Sequence, residues 1–196
     1  QPEQSVSWDA GLDQWLFRDA LRFSVTYFET RLEDLILFQG FAGPYFNGGD
    51  GITRGIETEL EIQVLDHGVL GASYTFLRTR VTDLDEPGSA PTLELHEEFI
   101  RRPTHSGRAY AGWHVADAWG AFVDVSIVGS CEDSTFTTFP AVREKNDGYI
   151  KTDVSAFWVI LPGLRAWARV DNVLDVHYHE VIGYQGPHAN ALVGLE

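Results

Sequence analysis

Residues 164–196 read LRAWARVDNVLDVHYHEVIGYQGPHANALVGLE, and their reading decides the fold. Leu164, Ala166, Ala168 and Val170 alternate with Arg165, Trp167, Arg169 and Asp171. Side chains change sides at every residue of a strand, so this is a strand with one apolar and one charged face. The pattern predicts a long last hairpin, broken at Gly186 and Pro187 and returning through 189–195.

Upstream, the same two-faced pattern recurs. Residues 5–17, 21–38, 52–65, 69–81, 99–115, 119–136 and 148–160 each alternate. In 52–65, Ile56, Leu60, Ile62 and Val64 oppose Glu57, Glu59, Glu61 and Gln63. In 119–136, Trp119, Ala121, Val123, Val125 and Ile127 oppose Asp124 and Ser126. About nine successive strands result, with no stretch of helical period. Short turns at 18–20, 66–68, 116–118 and 161–163 alternate with long connections at 39–51, 82–98 and 137–147. In an up-and-down meander this puts every short turn at one rim and every long loop at the other.

Composition narrows the possibilities. Aromatics at 13% argue against disorder. A net charge of −15 repels nucleic acid, so no nucleic-acid partner is expected. One cysteine, Cys131, allows neither an internal disulfide nor a cysteine zinc cage. No apolar run is long enough for a membrane-crossing helix. With no methionine and Gln1 at the start, the chain reads as a processed product or a piece of a longer one.

Period two does not say which face is inside. A soluble barrel around an apolar small molecule hides the apolar face; a membrane barrel turns it outward and lines its lumen with the polar one. Strands of more than ten residues suit a tilted bilayer crossing. Trp15, Phe17, Trp113, Trp119, Trp158 and Trp167 lie near the short turns, as in an interfacial aromatic girdle. The membrane case is therefore expected, as an all-β, antiparallel, up-and-down transmembrane β-barrel portion. An odd strand count leaves lipid-exposed edges, which predicts a share in a larger barrel.

Five motifs carry a resemblance. Asn172-Val173-Leu174-Asp175 followed by Tyr178 resembles the "NLFD..Y" segment near the end of TonB-dependent outer-membrane transporters. In the family's order, 7–13 resembles "E.GLE", 53–57 resembles "RGvE", 100–105 resembles "R.P.H" and 148–153 resembles "GY..vD". The resemblance implies a 22-stranded outer-membrane barrel with an N-terminal plug, of which residues 1–196 supply the C-terminal strands. It implies a scarce ligand of the cobalamin or iron-siderophore type, gripped by extracellular loops and imported with energy relayed by TonB through the plug. Outer-membrane lipid is the other expected partner. A passive outer-membrane pore is the simpler alternative.

Phe41, Tyr45, Phe46, Phe136 and Phe139 stand on or beside the long loops and are the ligand-contact candidates. The carboxylate row Glu57, Glu59 and Glu61 could attract cations but is expected to be a lumen face, solvated or paired with Arg from neighbouring strands, and Asp124, Asp153, Arg165 and Arg169 fit the same reading. His177 and His179 are two apart on one strand face but carry no further metal-ligand pattern. No phosphate loop, hydrolase motif or activated nucleophile is present, so neither a catalytic residue nor a cofactor is expected.

Overall fold

A computed structural model describes residues 1–38, 45–85, 93–115, 118–135 and 142–196. In chain order the strands are β1 (Gln4–Leu16), β2 (Leu21–Glu33), β3 (Ile36–Phe38), β4 (Tyr45–Asn47), β5 (Asp50–Val64), β6 (Gly68–Asp83), β7 (His105–Val115) and β8 (Trp119–Val128). There follow β9 (Cys131–Thr135), β10 (Val142–Asn146), β11 (Tyr149–Leu161), β12 (Leu164–Asp171), β13 (His179–Val181), β14 (Tyr184–Gln185) and β15 (Asn190–Leu195). Nine of them form one antiparallel sheet in the order β1-β2-β5-β6-β7-β8-β11-β12-β15. Neighbours in the sheet are neighbours in the chain, once the small hairpins β3–β4, β9–β10 and β13–β14 are set aside.

Register sets the two faces, because directly paired residues point the same way. Val25 pairs Thr58, which pairs Tyr74, which pairs Gly107, which pairs Ile127, which pairs Ile150. One step along, Ser24, Glu59, Ser73, Arg108, Ser126 and Lys151 line the opposite face. The alternation read from the sequence thus runs in phase across the sheet.

The apolar face is not a dry interior. Leu70 is 46% exposed, Tyr74 44% and Val123 42%. Among the described residues only Val81, Leu93 and Tyr178 are buried hydrophobic residues. The described residues hold no other apolar core from which to draw stability in water. The apolar side chains thus form an exposed band on one face, and the charged side chains share the other.

Four expectations need correction. The expected strand 21–38 ends at Glu33, because Asp34 takes a left-handed backbone (φ 56°) and the chain restarts in the β3–β4 hairpin. Strand 119–136 ends at Val128 and re-forms as β9, paired to β10 rather than to the sheet. The expected start at Phe99 is displaced to His105: Arg101 N–H turns to Glu132 C=O of β9, and the chain rejoins β6 at Thr104, whose C=O accepts from Leu77 N–H. The final hairpin is shorter: β12 stops at Asp171, where Asn172 adopts φ 52°, and a loop carrying β13 and β14 precedes β15.

The expected girdle is also thinner. Trp113, Trp119 and Trp158 lie on the apolar face beside the short turns, Trp119 directly opposite Trp158. Trp15 pairs with Arg22, and Trp167 with Gly194 and Phe157, all on the charged face. Phe17 lies in a turn with φ 55°. A second aromatic row, Trp8, Tyr27, Tyr74 and Phe76, closes the apolar band at the loop end; Trp8 and Tyr27 stand 5.1 Å apart.

Ala72 and Ser73 are neighbours in β6 near the middle of the apolar band and point to opposite faces. Ala72→Arg is expected to cost about 2–4 kcal/mol in a folded-in-bilayer urea titration, and Ser73→Arg less than about 1 kcal/mol. Equal costs, or the reverse order, would show that the apolar face does not meet lipid.

Candidate functional site

The charged face carries ion pairs, some between neighbouring strands and some between residues two apart on one strand. Arg22 on β2 bonds Asp13 of β1 at 3.1 Å and approaches Glu59 of β5 at 3.6 Å. Arg108 on β7 donates to Asp124 of β8 at 2.6 Å. Lys151 meets Asp153 at 3.2 Å, Arg169 meets Asp171 at 2.5 Å, and Arg165 pairs with Glu196. Of the expected set, Glu59, Asp124, Asp153, Arg165 and Arg169 are thus paired, and Glu61 accepts from Tyr110 at 2.7 Å. Most of these pairs are partly exposed, so each contributes little to stability. Their effect is to hold a polar, hydrated wall with alternating charge.

Aromatic rings lean across this wall over glycines of the adjacent strand. Tyr110 lies over Gly71, Phe122 over Gly112 and Phe157 over Gly120. A Cβ on Gly71 would stand 2.1 Å from the Tyr110 ring, whose hydroxyl is already held by Glu61. Tyr110 therefore reaches across β6 to β5 only because position 71 has no side chain. Gly71→Ala is expected to lower stability by about 1–3 kcal/mol through overpacking, and Tyr110→Phe by about 1 kcal/mol through one lost hydrogen bond. Chemical-denaturation midpoints in micelles measure both; an unchanged Gly71→Ala midpoint would rule out the packed ring.

At the loop rim a small apolar cluster closes over the inward face. Val81 and Leu93 are buried, with Leu37, Phe46, Leu84 and Phe99 packed against them. Residues 96–97 extend the sheet edge here: His96 N–H donates to Val81 C=O, and Val81 N–H to Glu97 C=O, both at 2.9 Å. Beside it lies a polar knot. Asp133, fully buried, accepts from Arg101 at 2.7 Å, from Ile182 N–H at 2.7 Å and from Ser134 N–H at 2.7 Å. It ties three loop segments far apart in sequence.

Burial alone would raise the Asp133 carboxyl. The Ile182 N–H, the Arg101 guanidinium and the Ser134 N–H outweigh it and hold the group below its ordinary value. The "NLFD..Y" motif does similar structural work. Asn172 is buried, donates to Val176 C=O and Pro187 C=O, and accepts from Val176 N–H. Asp175 accepts from Ala189 N–H and from His188, and both hold its carboxyl low. Tyr178 is buried over Gly186, its ring 4.3 Å from that of Tyr149.

The ligand-contact candidates divide. Phe41, Phe136 and Phe139 lie outside the described residues. Phe46 packs into the loop cluster, while Tyr45 beside it is 75% exposed at the rim. His177 and His179 are not brought together; His177 stands 4.8 Å from His188 instead. Among the described residues no group of three or more metal-ligating side chains converges. Sequence reasoning missed Asp133, Arg101 and Asn172 as loop anchors. Asn172, closing the alternating run 164–171, was the available signal; Asp133 stands among small and polar residues and gave none.

Nine in-phase strands, an outward apolar face, a charged inner wall and long connections at one rim define a segment of an outer-membrane-type barrel. A family model described as TonB dependent receptor-like, beta-barrel matches residues 1–173. The chain belongs to the TonB-dependent receptor family, whose barrels lie in the Gram-negative outer membrane. Similar solved structures include the ferripyoverdine receptor of the outer membrane of Pseudomonas aeruginosa bound to ferripyoverdine, at 17% identity and TM-score 0.75, covering 100% of this chain and 27% of that one. The ferric yersiniabactin uptake receptor FyuA from Yersinia pestis matches at 17% identity and TM-score 0.72, covering 98% and 28%. The siderophore receptor PiuA from Acinetobacter baumannii matches at 13% identity and TM-score 0.76, covering 97% and 28%. The chain thus spans little more than a quarter of these receptors.

Asp133 contributes stability above the ordinary Asp pKa of about 4 and loses it as pH falls through its lower folded value. Hydrogen exchange in β9, β10 and residues 179–185 is expected to quicken together below about pH 4, while β5 and β6 stay protected. Asp133→Asn is expected to give the same loosening at pH 7. Protected loops in that variant would show that the carboxylate does not tie them.

Proposed function

We propose that residues 1–196 form nine strands of the 22-stranded wall of an active outer-membrane receptor, with its plug and remaining strands outside this segment. The receptor captures a scarce iron-siderophore at its loop rim and imports it with TonB-coupled energy. The observation that carries this reading is the segregation of the rims. Four short turns stand at one end, and four long excursions stand at the other, on a wall with lipid outside and ion pairs inside. Long loops on outer-membrane barrels are extracellular, so the excursions face the ligand's side.

Cobalamin fits the same architecture. Support for the siderophore comes from the similar solved structures, whose names are those of ferripyoverdine, ferric yersiniabactin and siderophore receptors. Tyr45 is the described side chain best placed to meet ligand, being aromatic, exposed and anchored through its neighbour Phe46 in the loop cluster. Phe41, Phe136 and Phe139 belong to the same excursions and are proposed contacts with it. The protein is a transporter rather than an enzyme.

Full-length protein is expected to quench its tryptophan fluorescence on adding a ferric siderophore at micromolar concentration or below, and not on adding cobalamin. Tyr45→Ala is expected to weaken that binding by about tenfold, on the order of 1.4 kcal/mol. Saturable cobalamin binding would move the ligand class. Uptake that persists in cells lacking TonB would replace active import by passive passage.

A further inference from the structure

The outward face of β5 and β6 stops being apolar at one level. Ile56 pairs with Phe76; two residues nearer the loops Arg54 pairs with Arg78, and Ile52 with Arg80. Register is unbroken through these pairs, so the arginines share the face of Leu70, Tyr74 and Phe76. All three are exposed, and none has an ion-pair or hydrogen-bond partner among the described residues. Seven of the other nine arginines, Arg22, Arg31, Arg101, Arg108, Arg143, Arg165 and Arg169, are in ion pairs; Arg18 and Arg102 are not, among the described residues. Like charges directly opposite one another in a sheet repel; Glu29 of β2 stands opposite Arg54 on this face but is already held by Arg31 and Tyr27, and neither Arg78 nor Arg80 has a carboxylate opposite it in the ladder. With His96 and Thr82 they line a groove of about 560 Å³, in which Glu98 supplies the one carboxylate among the described residues.

Height along the wall identifies the anion. Gly68 pairs with Trp113 in the girdle at the short-turn end, and Arg78 lies ten residues further along β6. At about 3.3 Å per residue and a tilt of about 45°, that separation is about 23 Å of bilayer thickness, close to the apolar band of about 25 Å typical of such barrels. The guanidinium groups therefore sit just beyond the Tyr27, Tyr74 and Phe76 row, where headgroups begin, on the leaflet bordering the long loops. The site faces away from the lumen, so a ligand in transit does not reach it.

We infer that Arg54, Arg78 and Arg80 bind the phosphate-bearing headgroup of an outer-leaflet lipid whose acyl chains lie against Ile56, Tyr74 and Phe76. Arginine forks suit phosphate oxygens, and the adjoining apolar stripe gives the chains a surface that a free anion would not use. The inference rests on the lipid-facing orientation proposed for this wall.

The test uses full-length protein in a neutral detergent, with lipid A bearing two phosphates and its phosphate-free form as probes. The variant Arg54→Gln/Arg78→Gln/Arg80→Gln is expected to weaken binding of the phosphorylated probe about tenfold or more and leave the phosphate-free probe unchanged. Arg78→Gln alone, which relieves a like-charged pair and is expected to fold, should weaken it about threefold. Unchanged binding in both variants overturns the site, as does equal affinity of the wild type for the two probes. Displacement by millimolar inorganic phosphate overturns the headgroup assignment in favour of a free-anion site. Arg22→Gln/Arg169→Gln, on the opposite face, is expected to have no effect. If that variant loses the lipid while the triple variant keeps it, the faces are reversed and the orientation itself fails.

Discussion

The structure depends on one exchange of solvents. The sheet's backbone groups bond strand to strand, and its apolar side chains point away from the charged wall. Such a sheet is stable only where those side chains meet hydrocarbon, because almost no apolar residue is buried within the chain. In water, Leu70, Val123 and Ile127 would remain more than 40% exposed, and the energy that drives folding of an ordinary domain would be absent. The bilayer replaces the missing core.

The same constraint acts on the sheet edges. β1 and β15 each have one neighbour, so each presents a row of unpaired backbone groups. Hydrocarbon offers nothing to bond them, and an open edge at membrane depth costs several kcal/mol per group. β1 and β15 must therefore pair with further strands or with each other. Similarity to walls of far longer receptors, each covered to little more than a quarter, favours further strands.

Much of the wall was legible in the sequence. Alternation at Ile56–Val64 and Trp119–Ile127 set the faces, and the pairing keeps them in phase across nine strands. The same parity already held Trp15 with Asp13 and Trp167 with Arg169; proximity to turns is a weaker signal than parity. Strand ends were harder to see. β2, β8 and β12 stop where side chains reach distant loops, as when Asn172 gathers Val176 and Pro187. Asp133 was invisible for the same reason, since its partners Arg101 and Ile182 are 32 and 49 residues away. Period two reports burial face, not long-range polar contacts.

The two regions also differ in how firmly they are held. In the wall, each inner strand is bonded along both sides, and opening it would expose backbone to lipid. At the rim, among the described residues, three buried apolar residues, one buried carboxylate and two buried asparagines hold several excursions. Regions with few apolar contacts open at much lower free energy than the body of a fold. Those contacts are mainly polar and join segments that are separate in sequence, so releasing one side chain frees two or three loops together. The capture proposed for the rim fits that division between a wall bonded along both sides of each inner strand and loops coupled by a few polar contacts.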